Sequence, residues 1–421
     1  MQGNRALSSA PPTVVIGAGI VGVSAAIWLR RAGVPVTLVD RGAPGQGTSY
    51  GNAGILASCS MVPVTVPGLV RKGPRYVLDP DFPLFLRWSY VPKLLPWLVK
   101  YLSHANDADT RRIAHGLTPV VGDAVDQHHA LSDGTRAEDW ITDGDYAFAY
   151  ASRTAFDADT YVWGLRREAG FVPEIIEGAA VTDYEPNLGP AVGFLAVMKE
   201  HGWVKDPGGY VAALAEEFQA LGGVWHQADV RDFSFVDGKV SAVETTTGSI
   251  LCSNVVMATG VWSKPLMAKL GLDIPLETER GYHIVFKAAE GGPQTPMMVA
   301  AGKFVATPMA AGLRCAGVVE FGGLEAGPSK APLALLRKEV ARAFPNLKAT
   351  DEIEWHGHRP APADSLPLIG QVAQTGIYVG FGHHHIGLTG GPKTGRLLAQ
   401  MMTGQTPNLD MTPYDPARFA G

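Results

Sequence analysis

Three glycines in the pattern Gly17-x-Gly19-x-x-Gly22, followed by an aspartate at position 40, form the part of this chain whose chemistry is easiest to state. In such a pattern the first glycine allows a tight turn and the second lets the backbone approach a pyrophosphate. The third lets a helix pack closely on a strand, and an acidic residue about 20 positions later binds a ribose hydroxyl, which is the place of Asp40. These residues predict a dinucleotide site.

The segments around the glycines supply the elements that such a site needs. A β-rich run over 14–16 enters the glycines, a helical run continues to Ala32, and a second strand over 36–39 ends at the acid. The diphosphate then lies at a helix N-terminus, where free N–H groups and the helix dipole favour negative charge. The uncharged stretch 13–29 could also be interpreted as a signal peptide or membrane span, but its glycines, its shortness and the following Arg30-Arg31 argue against that.

The composition is that of an ordinary soluble globular protein. The chain has 421 residues and a net charge of −5, enough length for about two or three domains. The charge and the absence of a long Lys/Arg run argue against a nucleic-acid partner. Cys59, Cys252 and Cys315 show neither a disulfide framework nor a metal-ligand spacing, so a reducing compartment is expected. Residues 1–12 are interpreted as a loose N-terminal extension.

Beyond the first unit, the chain does not continue into the tandem βα repeats of an NAD dehydrogenase. Asp206-Pro207 begins a predicted helix that ends at Gly222-Gly223. Strands are predicted over 224–228, 230–235 and 240–246, with Asp237-Gly238 as a hairpin turn. A buried strand is predicted over 253–260, and a last helix from about Thr389.

The stretch 63–102 is rich in proline and aromatic residues. The favoured interpretation is a set of short helices that pack on a second domain. The alternative is a substrate lid or a membrane-facing patch.

Four separated segments together resemble the family of FAD-dependent D-amino-acid dehydrogenases and oxidases, which also includes glycine and sarcosine oxidases. They are GAGIVG with Asp40, GTSYGNAG at 47–54, MATGVWS at 257–263, and the C-terminal pair WHGHRPAPADSLPLIG and GFGHHHIGLTGGPKTGRLL. The segment ERGYH at 279–283 and the GHxHxGLT pattern at 382–389 are most similar to the bacterial D-amino-acid dehydrogenases. The resemblance spans nearly the whole chain in the right order.

The resemblance implies an α/β fold whose substrate part is α+β. A discontinuous Rossmann-type FAD-binding domain is expected over 1–65, 199–267 and 351–421, and a mostly antiparallel-sheet substrate domain over 66–198 and 268–350. The implied cofactor is FAD. The implied reaction is oxidative deamination of a D-amino acid, in which a hydride passes from Cα to flavin N5 and the imino acid hydrolyses to a 2-oxo acid.

Two alternatives to that reaction stay open from the sequence. One is oxidation of a cyclic or N-substituted amino acid such as D-proline, hydroxyproline, sarcosine or iminodiacetate. The other is a flavin-binding subunit without turnover of its own.

The expected cofactor contacts use small residues, backbone groups and short hydroxyls. Thr48 or Ser49 is expected to donate to a phosphate or ribityl oxygen. The glycine-rich turn before the last helix is expected to stabilise negative charge near flavin N1 and O2. The full set is Gly17, Gly19, Ile20, Val21, Gly22, Asp40, Arg41, Thr48, Ser49, Asn52, Ala53, Gly54, Val230, Thr259, Gly260, Trp262, Gly382, His383, Ile386, Gly387, Leu388 and Thr389.

On the substrate side the resemblance points to Arg359, because a planar guanidinium can hold an α-carboxylate by two parallel charge-assisted bonds. Tyr282 and His283 lie on alternate faces of a predicted strand, so only one of them is expected to face the pocket. Tyr282 is favoured, and His385 is a further candidate.

The chain departs from the family's pattern at a few positions. His384 stands where a small residue, often glycine, is usual, Gly390-Gly391 replace larger residues, and Ala363 replaces a common proline. These changes are expected beside the flavin and substrate face. The histidine run at 383–385 is not expected to hold a metal, because adjacent residues on a turn cannot all point at one ion.

The expected partners are a small amino-acid substrate and an electron acceptor, with O₂, a quinone and another carrier all left open. The expected location is the cytoplasm, either free or peripherally attached to the inner membrane.

Overall fold

The computed structural model describes residues 11–420, so residues 1–10 of the predicted N-terminal extension lie outside the described residues. In chain order its strands are β1 (Thr13–Ile16), β2 (Val36–Asp40), β3 (Leu84–Leu86), β4 (Ile141–Tyr150), β5 (Glu174–Glu177), β6 (Phe194–Val204), β7 (Val224–Gln227), β8 (Val230–Val236), β9 (Lys239–Thr245), β10 (Gly248–Leu251), β11 (Asn254–Met257), β12 (Leu276–Lys287), β13 (Met297–Val299), β14 (Phe304–Met309), β15 (Gly312–Phe321), β16 (Asp351–Pro362), β17 (Leu368–Gln371) and β18 (Ile377–Phe381). The helices are α1 (Ile20–Arg31), α2 (Leu69–Leu78), α3 (Val91–Ser103), α4 (Asp107–Val121), α5 (Ala124–Ser132), α6 (Arg153–Asp157), α7 (Thr160–Glu168), α8 (Ala179–Tyr184), α9 (Pro207–Ala220), α10 (Ser263–Lys269), α11 (Lys330–Ala343) and α12 (Gly387–Met402).

A six-stranded sheet with the order β17-β18-β11-β1-β2-β7 carries the predicted βαβ unit. Only the β17–β18 pair is antiparallel. All residues of β1 are buried, as expected of a parallel strand covered on both faces, and this is why the run TVVI is continuously apolar. The predicted βαβ unit, the helix after Asp206 and the strands that follow it are confirmed, and the last helix begins at Gly387, two residues earlier than predicted.

The β8–β9 hairpin belongs to a separate three-stranded sheet. Its turn residues Asp237 and Gly238 have φ of 49° and 76°, which confirms the predicted turn. Positive φ at both central residues is the requirement of the type I′ turn that matches the twist of a hairpin.

A nine-stranded sheet forms the second layer, with the order β16-β12-β15-β14-β13-β4-β6-β5 and β3 paired to β15. It is antiparallel except at the β13–β4 and β15–β3 pairs, as the resemblance implies. Helix α11 covers one face through Leu333, Leu336 and Val340, which share a core with strands of this sheet. The opposite face looks toward α1, α12 and the parallel sheet.

The predicted domain division stays a proposal, and the sheet topology favours moving its boundaries. Strand β6 continues on both sides of the boundary at 199, with a bulge between Met198 and His201, and β16, assigned to the FAD-binding part, pairs along its whole length with β12 in the nine-stranded sheet. Helices α4 and α5, assigned to the substrate part, pack on α12, and His128 of α5 lies 2.9 Å from the Leu388 carbonyl.

The aromatic stretch 63–102 forms α2, β3 and α3, in agreement with the favoured interpretation of short helices. Trp97 and Tyr101 of α3 stack on each other and pack beside Phe321 of β15. The same helices also line the central cavity described below, so the stretch is both a packing element and a cover. Within residues 11–420, no helix combines the length and the apolarity that crossing a bilayer requires.

Helices α1 and α12 cross in close contact through glycine. A Cβ placed on Gly395 would lie 2.5 Å from the backbone nitrogen of Ala25 and 2.6 Å from the Cβ of Ser24. We therefore expect Gly395→Ala to destabilise the fold by about 1–3 kcal/mol, because backbone atoms cannot move aside as a flexible side chain can. The measurement is the free energy of unfolding in urea.

Gly164 of α7 is the matched control, since a Cβ there meets nothing within 4 Å. Gly164→Ala should stabilise the protein by about 0.5–1 kcal/mol through helix propensity. Equal effects of the two substitutions would contradict the close-contact argument.

Candidate active site

A cavity of about 1640 Å³ lies between the two large sheets. It is bordered by the N-termini of α1 and α12, one face of the nine-stranded sheet, and the apolar sides of α2 and α3. Pockets for one small ligand are typically about 300–1,000 Å³. This volume therefore accommodates a dinucleotide and a small second ligand together.

The N-cap residues of both helices at the cavity, Gly19 and Ile386, provide no side-chain cap, and in α1 only the Ile20 amide has a side-chain acceptor, the hydroxyl of Ser49. In the described part of the chain no group accepts a hydrogen bond from the amides of Gly19 and Val21. Gly17 has φ of 106°, and a Cβ there would lie 2.4 Å from the Ala258 carbonyl oxygen. The backbone thus presents free N–H groups to the cavity, which fits the diphosphate of FAD at α1 and the flavin N1 and O2 at α12.

The end of β2 lines the part of the cavity where the sequence predicts the ribose and adenine to bind. Asp40 accepts hydrogen bonds from the amide of Ala18 at 2.7 Å and from that of Gly42 at 3.0 Å, which fixes its carboxylate at the cavity wall. The Arg41 guanidinium lies 4.1 Å from the centre of the Trp262 ring, a cation–π contact that places both residues beside Val230 at the same end.

Thr48 and Ser49 line the cavity, but their hydroxyls already have protein partners. Thr48 donates to the carbonyl of His358 at 2.8 Å, and Ser49 accepts from the amide of Ile20 at 3.0 Å. Arg314 fixes the loop that carries them, because it donates hydrogen bonds to the carbonyls of Tyr50 and Asn52, each at 2.8 Å. Their structural role is therefore to join the loop to α1 and β16.

Nearly all of the predicted cofactor residues line the cavity; the exceptions are Gly22 and Gly54. A Cβ on Gly22 would lie 1.8 Å from the Gly17 carbonyl oxygen, and one on Gly54 would lie 2.8 Å from that of Val204. These two glycines act through close packing behind the cavity wall. Gly390 and Gly391 pack against α4 and α1, because a Cβ on them would meet Val120 and Ile20. The expectation that these two glycines lie beside the flavin face is therefore corrected.

Arg359 projects into the cavity from β16, directly opposite Glu279 of β12 in the antiparallel register. Opposed residues of an antiparallel pair share a face, yet these two do not form an ion pair. The guanidinium instead lies over Gly281, where an added Cβ would be 2.5 Å from its Cζ. Within residues 11–420 no group accepts a hydrogen bond from Arg359, so its donors are available to a ligand in the cavity.

Tyr282 and His283 face opposite sides of β12, as predicted. Tyr282 has atoms at the cavity wall, but its ring packs in the core under α11, on the face of β12 opposite to Glu279 and Gly281. Its hydroxyl donates to Glu320 and accepts from the amide of Ser329 at 2.9 Å, so the preference for Tyr282 as the pocket residue is corrected. His283 does not reach the cavity, because its ring stacks on Trp355 with centroids 5.0 Å apart and Nδ1 lies 3.2 Å from the Gly51 carbonyl. The structure therefore does not bring His283 together with Arg359.

The three consecutive histidines point in different directions. His383 lies 2.8 Å from the hydroxyl of Thr394, inside α12. Nε2 of His384 lies 2.8 Å from Oε1 of Glu279, and its Nδ1 lies 3.0 Å from Nδ1 of His385. His385 is exposed to the cavity and enclosed by protein on its other sides.

The electrostatics of this cluster follow from burial and proximity. Burial would raise the pKa of Glu279, but the contact with His384, together with the charge of Arg359, brings it below its usual value. Burial lowers the pKa of His385 to about 3. His385 therefore faces the cavity as a neutral imidazole.

Sequence reasoning gave no role to Glu279, His384 or Gly281. Glu279 was visible only as part of ERGYH, and His384 only as a departure from a small residue. The signal that connects them is the pairing of β12 with β16, which a single sequence does not contain. Trp355 was also missed, and its indole fills the space above Gly51 and Gly357, where a Cβ would lie 1.7 Å and 2.0 Å from it.

Comparisons with known proteins agree with this geometry. The model of the DAO family, FAD dependent oxidoreductase, matches residues 13–401. A D-amino-acid oxidase of Bradyrhizobium diazoefficiens is 41% identical over 413 residues, covering 96% of this chain and 98% of its own. The D-amino acid dehydrogenase 2 of Pseudomonas aeruginosa is 31% identical, covering 96% and 97%. The solved glycine oxidase of Geobacillus kaustophilus has a TM-score of 0.72 at 20% identity, covering 97% and 99%.

Gly17 offers a direct test of the nucleotide end. Gly17→Ala places a methyl group 2.4 Å from the Ala258 carbonyl and forces a side chain into a φ of 106°, so we expect the purified protein to lose its bound flavin. The measurement is the ratio of flavin absorbance to protein absorbance. Gly327→Ala, where a Cβ meets nothing within 4 Å, should keep the wild-type ratio. Full flavin content in Gly17→Ala would refute the assignment.

Proposed function

Because the chain belongs to the DAO family of FAD-dependent oxidoreductases, we propose that it oxidises the C–N bond of a D-amino acid whose carboxylate is held by Arg359. The observation that carries the proposal is an enclosed guanidinium without a protein partner, in the same cavity as two uncapped helix N-termini. When bound, FAD supplies the electron-accepting chemistry: hydride leaves Cα for flavin N5, and the imino acid then hydrolyses to a 2-oxo acid.

In this reaction the role of the protein is to orient the substrate and to enclose it. Arg359 binds the carboxylate by two parallel bonds, which fixes the direction of the Cα–H bond as well as the position of the ligand. Gly281 leaves the space in which the guanidinium lies, and Glu279 remains beside it without neutralising it. Leu94, Trp97 and Tyr101 of α3 close the cavity with apolar surface, which keeps water away from the reacting atoms.

The cluster at Arg359 recognises both charged groups of an amino acid. The guanidinium fits the carboxylate, while Glu279 and the neutral imidazole of His385 lie on the side where the amino group would be. We therefore place Arg359 and His385 in contact with the substrate. The Tyr282 ring packs under α11 on the other face of β12, and His283 supports the wall of the site through Trp355.

Replacing Arg359 tests this proposal. Arg359→Ala should leave the flavin spectrum intact, while anaerobic flavin reduction by the best D-amino acid falls by orders of magnitude. Loss of a charge-assisted bond costs about 1.5–3 kcal/mol, or roughly 10- to 150-fold, and misalignment of Cα–H adds to that. Arg359→Lys should repair the rate only in part, because an ammonium group cannot reproduce the planar fork.

The control is the decarboxylated amine of the same substrate, which the wild-type protein should oxidise poorly and for which Arg359→Ala should matter little. Near-normal reduction of Arg359→Ala by the amino acid would mean that the carboxylate is held elsewhere. A panel of D-amino acids, L-amino acids and N-methyl amines then separates the proposed substrate class from the cyclic and N-substituted alternatives.

We also propose that α2 and α3 contact an anionic membrane surface. Val70, Leu78, Trp88, Leu95 and Val99 are each more than half exposed. Basic residues surround them, and neither helix contains an acid; the basic residues are Arg71, Lys72, Arg75, Lys93 and Lys100. Exposed apolar side chains with a basic rim are typical of peripheral membrane helices. Because these helices also line the cavity, this contact would let a lipid-soluble electron acceptor reach the flavin.

Vesicle sedimentation tests the membrane contact. The protein should bind vesicles that contain phosphatidylserine, bind neutral vesicles weakly, and dissociate as salt is raised, because the basic rim is screened. The double variant Leu95→Gln and Val99→Gln should bind less than wild type. Val224→Gln with Leu251→Gln, which removes equally exposed apolar groups elsewhere, should bind as wild type does. Equal binding to both kinds of vesicle would contradict the proposal.

A further inference from the structure

The contacts around His384 bear on how the substrate's amino group loses a proton before it is oxidised. An amino acid enters at neutral pH as an ammonium ion, but hydride can leave Cα only once the nitrogen has regained its lone pair. We propose that His385, His384 and Glu279 form a proton relay that removes one proton from the substrate's amino group. The inference rests on the proposed function and adds a named path for the proton.

The order of the relay follows from the contacts in the structure. The carboxylate of Glu279 selects the His384 tautomer with hydrogen on Nε2, because Oε1 lies 2.8 Å away. Nδ1 of His384 is then an acceptor, and Nδ1 of His385, 3.0 Å away, supplies the hydrogen. Nε2 of His385 is left as a lone pair that faces the cavity. In this conformation the N–H of His384 is not aligned with Glu279, as is common before substrate binds.

The proton transfer is balanced and leaves no new charge. The substrate N–H bond breaks and its proton joins Nε2 of His385. The Nδ1 proton of His385 passes to Nδ1 of His384, and the Nε2 proton of His384 passes to Glu279. Both imidazoles end neutral in the other tautomer, the ammonium has become an amine, and Glu279 has become a carboxylic acid. Two opposite buried charges are removed together.

Burial favours this transfer. An enclosed cavity destabilises the charged forms of both the substrate ammonium and the Glu279 carboxylate. Transfer of one proton along the relay neutralises both groups. Burial raises the pKa of Glu279, while the contact with His384 and the charge of Arg359 lower it. The contribution of Arg359 shrinks when a substrate carboxylate neutralises the guanidinium. Tyr101, which faces the same carboxylate from α3, has a pKa raised by burial and by Glu279, so it remains a neutral phenol.

The backbone gives independent support for a role of His384. Its φ is 51°, in the left-handed region where glycine is the unstrained choice. The turn is held there because the His384 amide donates to the Pro360 carbonyl at 3.0 Å, next to Arg359. A side chain kept in an unfavourable conformation at a ligand cavity indicates that the side chain itself is used.

Because residue 384 has a backbone conformation that suits glycine, the side chain can be removed without disturbing the fold. His384→Gly relieves the strain and removes the central ring of the relay, so the variant should fold and keep its flavin. Glu279→Gln removes only the proton acceptor. The control is Glu277→Gln. Glu277 lies two residues before Glu279 on β12, has the same exposed fraction of 7%, and does not line the cavity. Its carboxylate is engaged by the hydroxyl of Tyr90.

The measurement is the limiting rate of anaerobic flavin reduction at saturating D-amino acid, taken across pH. With an internal acceptor, the wild-type rate should be nearly constant through the neutral range. In His384→Gly and Glu279→Gln the amine must form by loss of a proton to solvent. Their rates should be lower by about 10²- to 10⁴-fold at neutral pH and rise about tenfold per pH unit up to the ammonium pKa. Glu277→Gln should follow wild type.

A second readout separates the relay from carboxylate binding. Propionate, which lacks an amino group, should perturb the flavin spectrum in wild type, His384→Gly and Glu279→Gln, and its dissociation constant should not be larger in either variant, because Glu279→Gln removes a negative charge beside Arg359. A loss of rate that does not depend on pH, or a wild-type rate that already rises about tenfold per pH unit, would overturn the relay. Wild-type flavin that no D-amino acid reduces would instead contradict the proposed function, and the relay with it.

Discussion

The pairing of β12 with β16 places the carboxylate of Glu279 directly opposite the guanidinium of Arg359 on one face of a sheet. The substrate end of the cavity depends on why these two groups do not form an ion pair. Opposite charges at this spacing normally neutralise each other. Here the missing side chain of Gly281 lets Arg359 lie along the sheet, and His384 approaches Glu279 from the turn before α12. Glu279 therefore lies against His384 while the Arg359 guanidinium keeps its donors free, and each charge is available to one end of a zwitterion.

The nucleotide end depends on a different constraint, the close approach of backbones. Gly395 brings α12 against α1, and Gly22 brings α1 against the turn at Gly17. Each contact excludes even one methyl group, so the directions of the two helices are determined together. As a result both uncapped N-termini point into one cavity. The glycines that never touch the ligand thus decide where the free N–H groups lie.

The parts of the molecule that could be predicted from sequence are those governed by local pattern. The βαβ unit, the helix after Asp206 and the hairpin at Asp237-Gly238 are each encoded within a few residues. The nucleotide contacts could be placed because the glycine spacing carries its own geometry. The relation of Glu279 to Arg359 could not, because 80 positions separate them and only the strand register brings them together. The position of His283 behind Trp355 likewise depends on what packs across the sheet.

The continuity of the cavity has a thermodynamic consequence. Its walls come from both sheets and from several helices, among them α1, α2, α3 and α12, so a cofactor bound there touches separately packed cores and binds only when they are assembled. Any ligand that binds only the native state adds to its stability, by about 2.7 kcal/mol when its concentration is 100 times its dissociation constant. The abundance of this protein in a cell should therefore follow the supply of flavin. A substitution that merely weakens cofactor binding would look, in expression experiments, like a defect in folding.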